Sequence, residues 1–192
     1  MQEKNFIIAI GASAGGLPAL CELFDHTLPD GISYVITTHL DPYYKSRLTE
    51  IIQRHSKIEV CVVEHNMNIR LNTVYVMPEN KVMGMENGKL VLKARDLSIK
   101  RNMAIDIFFK SLADDTKFSK IAIVLSGMGE DGTDGVKALA KKGAYISAQT
   151  PHSAEASSMP ISIIASECAD KILDPKDMPA AIINIVMSKR LV

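Results

Sequence analysis

Three residues far apart in the chain have the side-chain types that nucleophilic catalysis requires: Ser13, His39 and Asp131. A serine hydroxyl is a weak nucleophile at neutral pH. It needs a base within hydrogen-bond reach, and that base needs a carboxylate to fix its tautomer and stabilise its cation. Ser13 sits in Gly11-Ala-Ser13-Ala-Gly15-Gly16, after the apolar run Phe6 to Ile10 and before Leu17, Leu20, Leu23 and Phe24 at helical spacing. Pro18 suits a first helical turn. The stretch therefore reads as strand, tight glycine turn, helix. Such a turn exposes Ser13 at the carboxyl edge of a sheet, beside a helix N-terminus whose unpaired N–H groups can stabilise developing negative charge.

His39 ends the β-branched run Ser33 to Thr38. Asp131 lies in the glycine turn Gly127 to Gly135, directly after the most strand-like segment, Ile121 to Ser126. Strand ends converge on one edge of a parallel sheet, so three residues distant in sequence can meet there. Each has a plainer reading: Ser13 as a small turn residue, His39 as a capping partner, Asp131 as an N-cap for the helix that follows. Their coincidence at three strand ends favours the catalytic reading. Dinucleotide binding fits less well. Its fingerprint is G-x-G-x-x-G with an acidic residue ending the second strand, whereas here Ser13 takes the middle glycine position and the strand ends in Thr37-Thr38-His39. Cys21 falls within the first helix among apolar neighbours, and neither Glu64 nor Glu130 has a matching base. His26, His55, His65 and His152 have polar surroundings typical of surface histidines.

These residues need an α/β frame, and the rest of the chain supplies one. Beyond a turn cluster at 27–31, strands are expected at 58–63, 74–77, 144–148 and 169–173. Helices are expected at 46–54, 105–113, 136–142 and 179–189, with a short one opening at Pro160. Two short runs around Asn87-Gly88 predict an antiparallel hairpin, because that dipeptide suits a type I′ turn. The expected fold is a doubly wound, mainly parallel sheet with the hairpin as an edge excursion. At 192 residues the chain is long enough for one well-cored domain. Its 22 basic and 22 acidic residues balance, which implies no nucleic-acid partner and no attraction to an anionic membrane. No apolar run reaches spanning length, and no signal sequence opens the chain. Three scattered cysteines without C-x-x-C spacing suggest neither a disulfide framework nor a zinc site. The cytoplasm is the expected location.

At this point the residues show a family resemblance. Gly-Ala-Ser13-Ala-Gly-Gly, Thr38-His39-Leu40, Val74 to Pro78, Ile105 to Leu112, Leu125 to Gly132, Ala148-Gln-Thr-Pro and Ala156-Ser-Ser-Met-Pro160 together resemble the catalytic domain of the chemotaxis protein-glutamate methylesterases. The segment around Phe108 is most similar to versions fused to a methyltransferase. The resemblance spans nearly the whole chain and implies a single catalytic domain over 1–192. It implies a Ser13, His39 and Asp131 triad, with the backbone N–H groups of Ala14 and Met128 as oxyanion donors. It also implies hydrolysis of glutamate γ-methyl esters, with deamidation of glutamine as a second activity, and no metal or cofactor. The implied partner is a methylated chemoreceptor cytoplasmic domain or a related coiled-coil protein. The chain departs from the family at Thr38, where Gln is frequent, and at Pro78-Glu-Asn-Lys-Val82, where a His is frequent. No receiver domain fits before Phe6, so regulation by one in the same chain is not expected. Two other readings remain open: a different serine esterase or amidase, and a non-catalytic domain that binds receptors in a signalling complex.

Overall fold

The computed structural model describes residues 5–26 and 28–190; Thr27, the first residue of the expected turn cluster, lies outside them. A seven-stranded sheet forms the centre. Its strands are β1 (Phe6–Ala12), β2 (Ile32–Thr38), β3 (Glu59–Val62), β5 (Thr73–Val76), β8 (Ser119–Val124), β9 (Tyr145–Gln149) and β10 (Lys171–Leu173). They lie in the order β10-β9-β8-β1-β2-β5-β3, and every pair is parallel. Parallel strands need covered faces, and both faces are covered here. Along β1, Ile7 and Ala9 point into one core while Phe6, Ile8 and Ile10 point into the other. That is why the strand reads as an unbroken apolar run rather than an alternating one.

Helices α1 (Gly16–Phe24), α2 (Leu48–His55) and α6 (Met178–Arg190) pack on one face through Leu20, Leu23, Ile52, Ile182 and Val186. Helices α3 (Ala104–Asp114), α4 (Thr133–Lys141) and α5 (Ser158–Ala165) pack on the other through Phe108, Phe109, Leu112, Val136, Leu139 and Ile163. The expected hairpin is present as β6 (Lys81–Glu86) and β7 (Lys89–Ala94), with Asn87 and Gly88 both at positive φ in the turn. It does not extend an edge of the large sheet. It pairs instead with the two-residue β4 (Met67–Asn68) in a separate three-stranded sheet. That small sheet packs Met83, Met85 and Leu90 into the same core as α3, and Ser111 Oγ on α3 accepts the Met85 N–H at 2.9 Å.

β1 is the switch point of the sheet. The chain leaves it through α1 to reach β2 on one side and returns much later as β8 on the other. Ligands of doubly wound sheets bind beyond the carboxyl ends of strands at such a crevice. Residues following β1, β2 and β8 therefore share one edge.

α3 and α4 approach closely at their N-termini because Gly135 has no side chain. A Cβ there would lie 2.4 Å from Phe109 Cβ and 3.3 Å from the Asp106 backbone. Overpacking of this kind typically costs about 1–3 kcal/mol. Gly135→Ala is therefore expected to lower the urea midpoint of unfolding without changing the slope, as read by circular dichroism.

Candidate active site

Ser13 stands on the turn between β1 and α1. Its N–H donates to the Ser126 C=O at 2.9 Å, and its C=O accepts the Gly16 N–H at 2.9 Å. Gly15, at φ 68°, is the residue that caps α1. A side chain there would meet Glu155 Cβ at 2.4 Å and Ser126 Oγ at 2.8 Å, so both the conformation and the space call for glycine. His39 follows β2 and Asp131 follows β8, as the strand order requires.

The three side chains meet. The Ser13 hydroxyl donates to His39 Nδ1 at 3.0 Å, and His39 Nε2–H donates to Asp131 Oδ2 at 2.6 Å. Asp131 is 4% exposed and His39 20%. The carboxylate thus holds the proton on Nε2 and leaves the Nδ1 lone pair facing the hydroxyl. This reverses the usage in which Nε2 faces the serine, but the roles depend on geometry and not on which nitrogen performs them.

Asp131 has a second task that the sequence did not disclose. It does not cap α4, the helix that follows it; Gly132 occupies that position. Its carboxylate caps α3 instead, accepting the Ile105 N–H at Oδ2 (3.0 Å) and the Asp106 N–H at Oδ1 (2.9 Å). Asn102 Oδ1 takes the Ala104 N–H at 3.1 Å. Asp106 returns the favour to α4: its Oδ1 accepts the Gly135 N–H at 2.7 Å. The turn before α4 therefore supplies the acid that caps α3, and α3 supplies the acid that takes an N–H of α4. Burial pushes the Asp106 carboxyl above its ordinary value; the Gly135 N–H opposes that rise, and the charge of Asp131 adds to it.

The remaining sequence candidates lie as follows. The N–H groups of Ala14 and Met128 have no acceptor among the described residues, and both residues are exposed. Their loops touch: a Cβ on Gly127 would lie 2.9 Å from Ser13 Cβ. Glu130 sits on the rim, paired with Arg101. Glu64 follows β3, which β2 and β5 separate from β1. His55 pairs with Asp25, His65 with the Leu92 backbone and His152 with Asp174, all away from Ser13. Burial pushes the Cys21 thiol up, which makes it a poorer nucleophile. His39 lines two clefts. One, of about 530 Å³, runs past Met128, Arg101 and Ser162. The other, of about 310 Å³, runs past Ser13, Leu17, Thr38 and Ile51. Among the described residues no trio of His, Cys, Asp or Glu is disposed to hold a metal ion, and no helix is long and apolar enough to cross a membrane.

A parallel α/β sheet with a hydrogen-bonded Ser-His-Asp chain at its switch point has the arrangement that nucleophilic catalysis by a serine requires. The family follows from comparison. Residues 8–182 match the family model described as CheB methylesterase, and the chain belongs to that family. A protein-glutamate methylesterase/protein-glutamine glutaminase of Bacillus licheniformis is 32% identical over 191 residues, which is 96% of this chain and 53% of that protein. Protein-glutamate methylesterase/protein-glutamine glutaminase 3 of Pseudomonas aeruginosa is 30% identical over 173 residues, covering 88% and 51%. The chain thus spans about half the length of these relatives. The crystal structure of the Thermotoga maritima CheB methylesterase catalytic domain superposes with a TM-score of 0.85 at 26% identity, over 95% of this chain and 100% of that one.

The raised Asp106 carboxyl has a definite pH consequence. A carboxyl whose folded pKa exceeds its unfolded value stabilises the fold most below the unfolded pKa, here 3.8, and that contribution is lost as pH rises through the folded pKa. Asp106→Asn keeps an acceptor for Gly135 and removes the titration. The melting temperature of the variant minus that of the wild type is expected to increase between about pH 4 and about pH 7.

Proposed function

We propose that this chain is a protein-glutamate methylesterase domain that uses Ser13 as nucleophile, His39 as general base and acid, and Asp131 as the orienting carboxylate. The observation that carries this reading is the continuous chain of hydrogen bonds from Ser13 Oγ through the imidazole to Asp131. Membership of the CheB methylesterase family and the activity for which the relatives are named support the substrate class.

Ser13 Oγ attacks the γ-carbonyl carbon of a glutamyl methyl ester as its proton passes to His39 Nδ1. The carbonyl oxygen becomes an oxyanion, held by the N–H groups of Ala14 and Met128. Collapse of the tetrahedral species breaks the C–O bond to the methoxy group, which leaves as methanol with the proton from His39. Water then attacks the acyl-enzyme and gives a proton to His39; the acyl–Oγ bond breaks, His39 returns that proton to Ser13 Oγ, and the glutamate side chain leaves as its carboxylic acid, which ionises. A glutamine side chain would release ammonia by the same path. Asp131 stabilises the imidazolium at each stage, and the two α3 N–H groups keep its carboxylate in place. Every step uses the chain's own groups, without a metal or cofactor.

Residues 8–182, and by extension 1–192, act in this reading as one catalytic domain. The two clefts that His39 lines suit a side chain presented on a polypeptide surface. The proposed partner is the methylated cytoplasmic domain of a chemoreceptor or a related coiled-coil protein, which sets the reaction in the cytoplasm.

Ser13→Ala is expected to abolish methanol release from a methylated receptor fragment with the circular dichroism spectrum unchanged; unaltered release would refute the proposal. Asp131→Asn keeps a side chain of the same shape but places an amide where the carboxylate met His39. It is expected to slow turnover by about 10³–10⁴-fold. Residual methanol release above that of Ser13→Ala would mark Asp131 as orienting rather than reacting.

A further inference from the structure

The two N–H groups assigned to the oxyanion lie on irregular loops, and a pair of serines outside the triad determines where they point. Ser126, which follows β8, is fully buried. Its C=O accepts the Ser13 N–H at 2.9 Å, and its Oγ donates to the Ala14 C=O at 2.8 Å, with the Ala156 C=O further away at 3.2 Å. The Ser13 C=O accepts the Gly16 N–H. Because a trans peptide is planar, its C=O and N–H point in opposite directions. Tying the Ser13 C=O to Gly16 therefore aims the Ala14 N–H the other way, and Ser126 holds the chain on both sides of it.

Ser158, at the start of α5, does the same for Met128. The peptide that carries the Met128 N–H has the Gly127 C=O as its other end. That oxygen accepts the Met159 N–H at 3.0 Å and the Ser158 hydroxyl at 3.2 Å. Ser158 Oγ in turn accepts the Gly129 N–H at 2.9 Å. One hydroxyl thus grips the residues before and after Met128. Gly129, at φ 84°, has nothing within 4 Å of its Cβ position, so packing does not restrain this loop there.

The two serines belong to one frame. Ser126 Oγ accepts the Ala156 N–H at 2.9 Å, the Ala156 C=O accepts the Gly127 N–H at 2.9 Å, and Gln149 Oε1 accepts the Ser126 N–H at 2.8 Å. This gives a physical task to Ala148-Gln-Thr-Pro and Ala156-Ser-Ser-Met-Pro160, which the triad leaves unused. Donors aimed in advance need no reorganisation when charge develops, and that is the source of their effect.

We propose that Ser126 and Ser158 are positioning residues that aim the Ala14 and Met128 N–H groups at a single point, where the substrate oxyanion forms. The proposal rests on the reading of Ser13 as nucleophile and deepens it. A fluorophosphonate probe tests it without a receptor. The Ser13 Oγ–P bond forms as the hydroxyl proton passes to His39 Nδ1, the P–F bond breaks and releases fluoride, and a phosphoryl oxygen takes the place of the oxyanion. The maximal labelling rate and the half-saturating probe concentration are measured for wild type, Ser126→Ala, Ser158→Ala, Ser158→Thr and Ser13→Ala. Both alanine variants are expected to lose about tenfold in maximal rate with half-saturation within about twofold of wild type. The pH midpoint of labelling should not move, because the Ser13–His39–Asp131 chain is untouched. Ser158→Thr, which keeps the hydroxyl, should recover most of the rate.

A wild-type maximal rate in Ser158→Ala overturns the proposal, as does a loss confined to half-saturation or a shifted pH midpoint. If Ser126→Ala does not fold, Ser158→Ala decides alone, since Ser158 is exposed. Labelling of Ser13→Ala at the wild-type rate would instead remove the nucleophile itself, so the two failures are told apart.

Discussion

The carboxylate of Asp131 joins a helix to an imidazole. One oxygen serves both the Ile105 N–H and His39 Nε2, and the other holds the Asp106 N–H. A buried carboxylate is costly unless its charge is answered by donors. Here two backbone N–H groups at a helix N-terminus and one ring N–H supply the answer. The first two are permanent features of the fold. The imidazole is therefore oriented by an anion that is itself pinned to secondary structure, and the precision of the site derives from the position of α3.

The position of α3 depends in turn on its contact with α4. Gly135 permits the close approach, Phe109 fills the space beside it, and Asp106 ties the two N-termini together. Two acids near one another repel, and burial already disfavours the charge on Asp106. The arrangement holds because Asp131, in the turn before α4, receives two N–H groups from α3, and Asp106 on α3 receives one from α4. Local chemistry and tertiary packing are one problem at this corner: moving either helix would leave an acid without its donors.

Much of this was legible in the amino-acid order. The Phe6 to Ile10 run, the glycines after it and the β-branched run before His39 each report a strand buried on both faces and ending at a common edge. Asn87-Gly88 reports its hairpin through the positive φ that both residues adopt. What could not be read were relations between elements. Asp131 precedes α4, so local spacing suggests a cap for α4, and only the crossing of α3 over the glycine turn redirects it. Asp106 sits on a helix whose apolar periodicity gives no reason to look at an acid. Strand β4 is two residues long and shows no alternation, so nothing in its own sequence signals that the hairpin forms a sheet apart from the main one. Ser126 and Ser158 hydrogen-bond to backbone groups about 30 residues or more away, and hydrogen bonds of that span leave no trace in a linear pattern.

The small three-stranded sheet behind α3 gives that helix a second wall. Phe108, Phe109 and Leu112 are fully buried, and Met83, Met85 and Leu90 of the ribbon belong to the same core. The helix is held between two layers on its buried face, while Ile107 and Lys110 on its other face stay exposed. The ribbon touches none of the reacting atoms, yet it backs the beam from which the aspartate hangs, so an outlying appendage of the fold helps to keep the geometry of its centre.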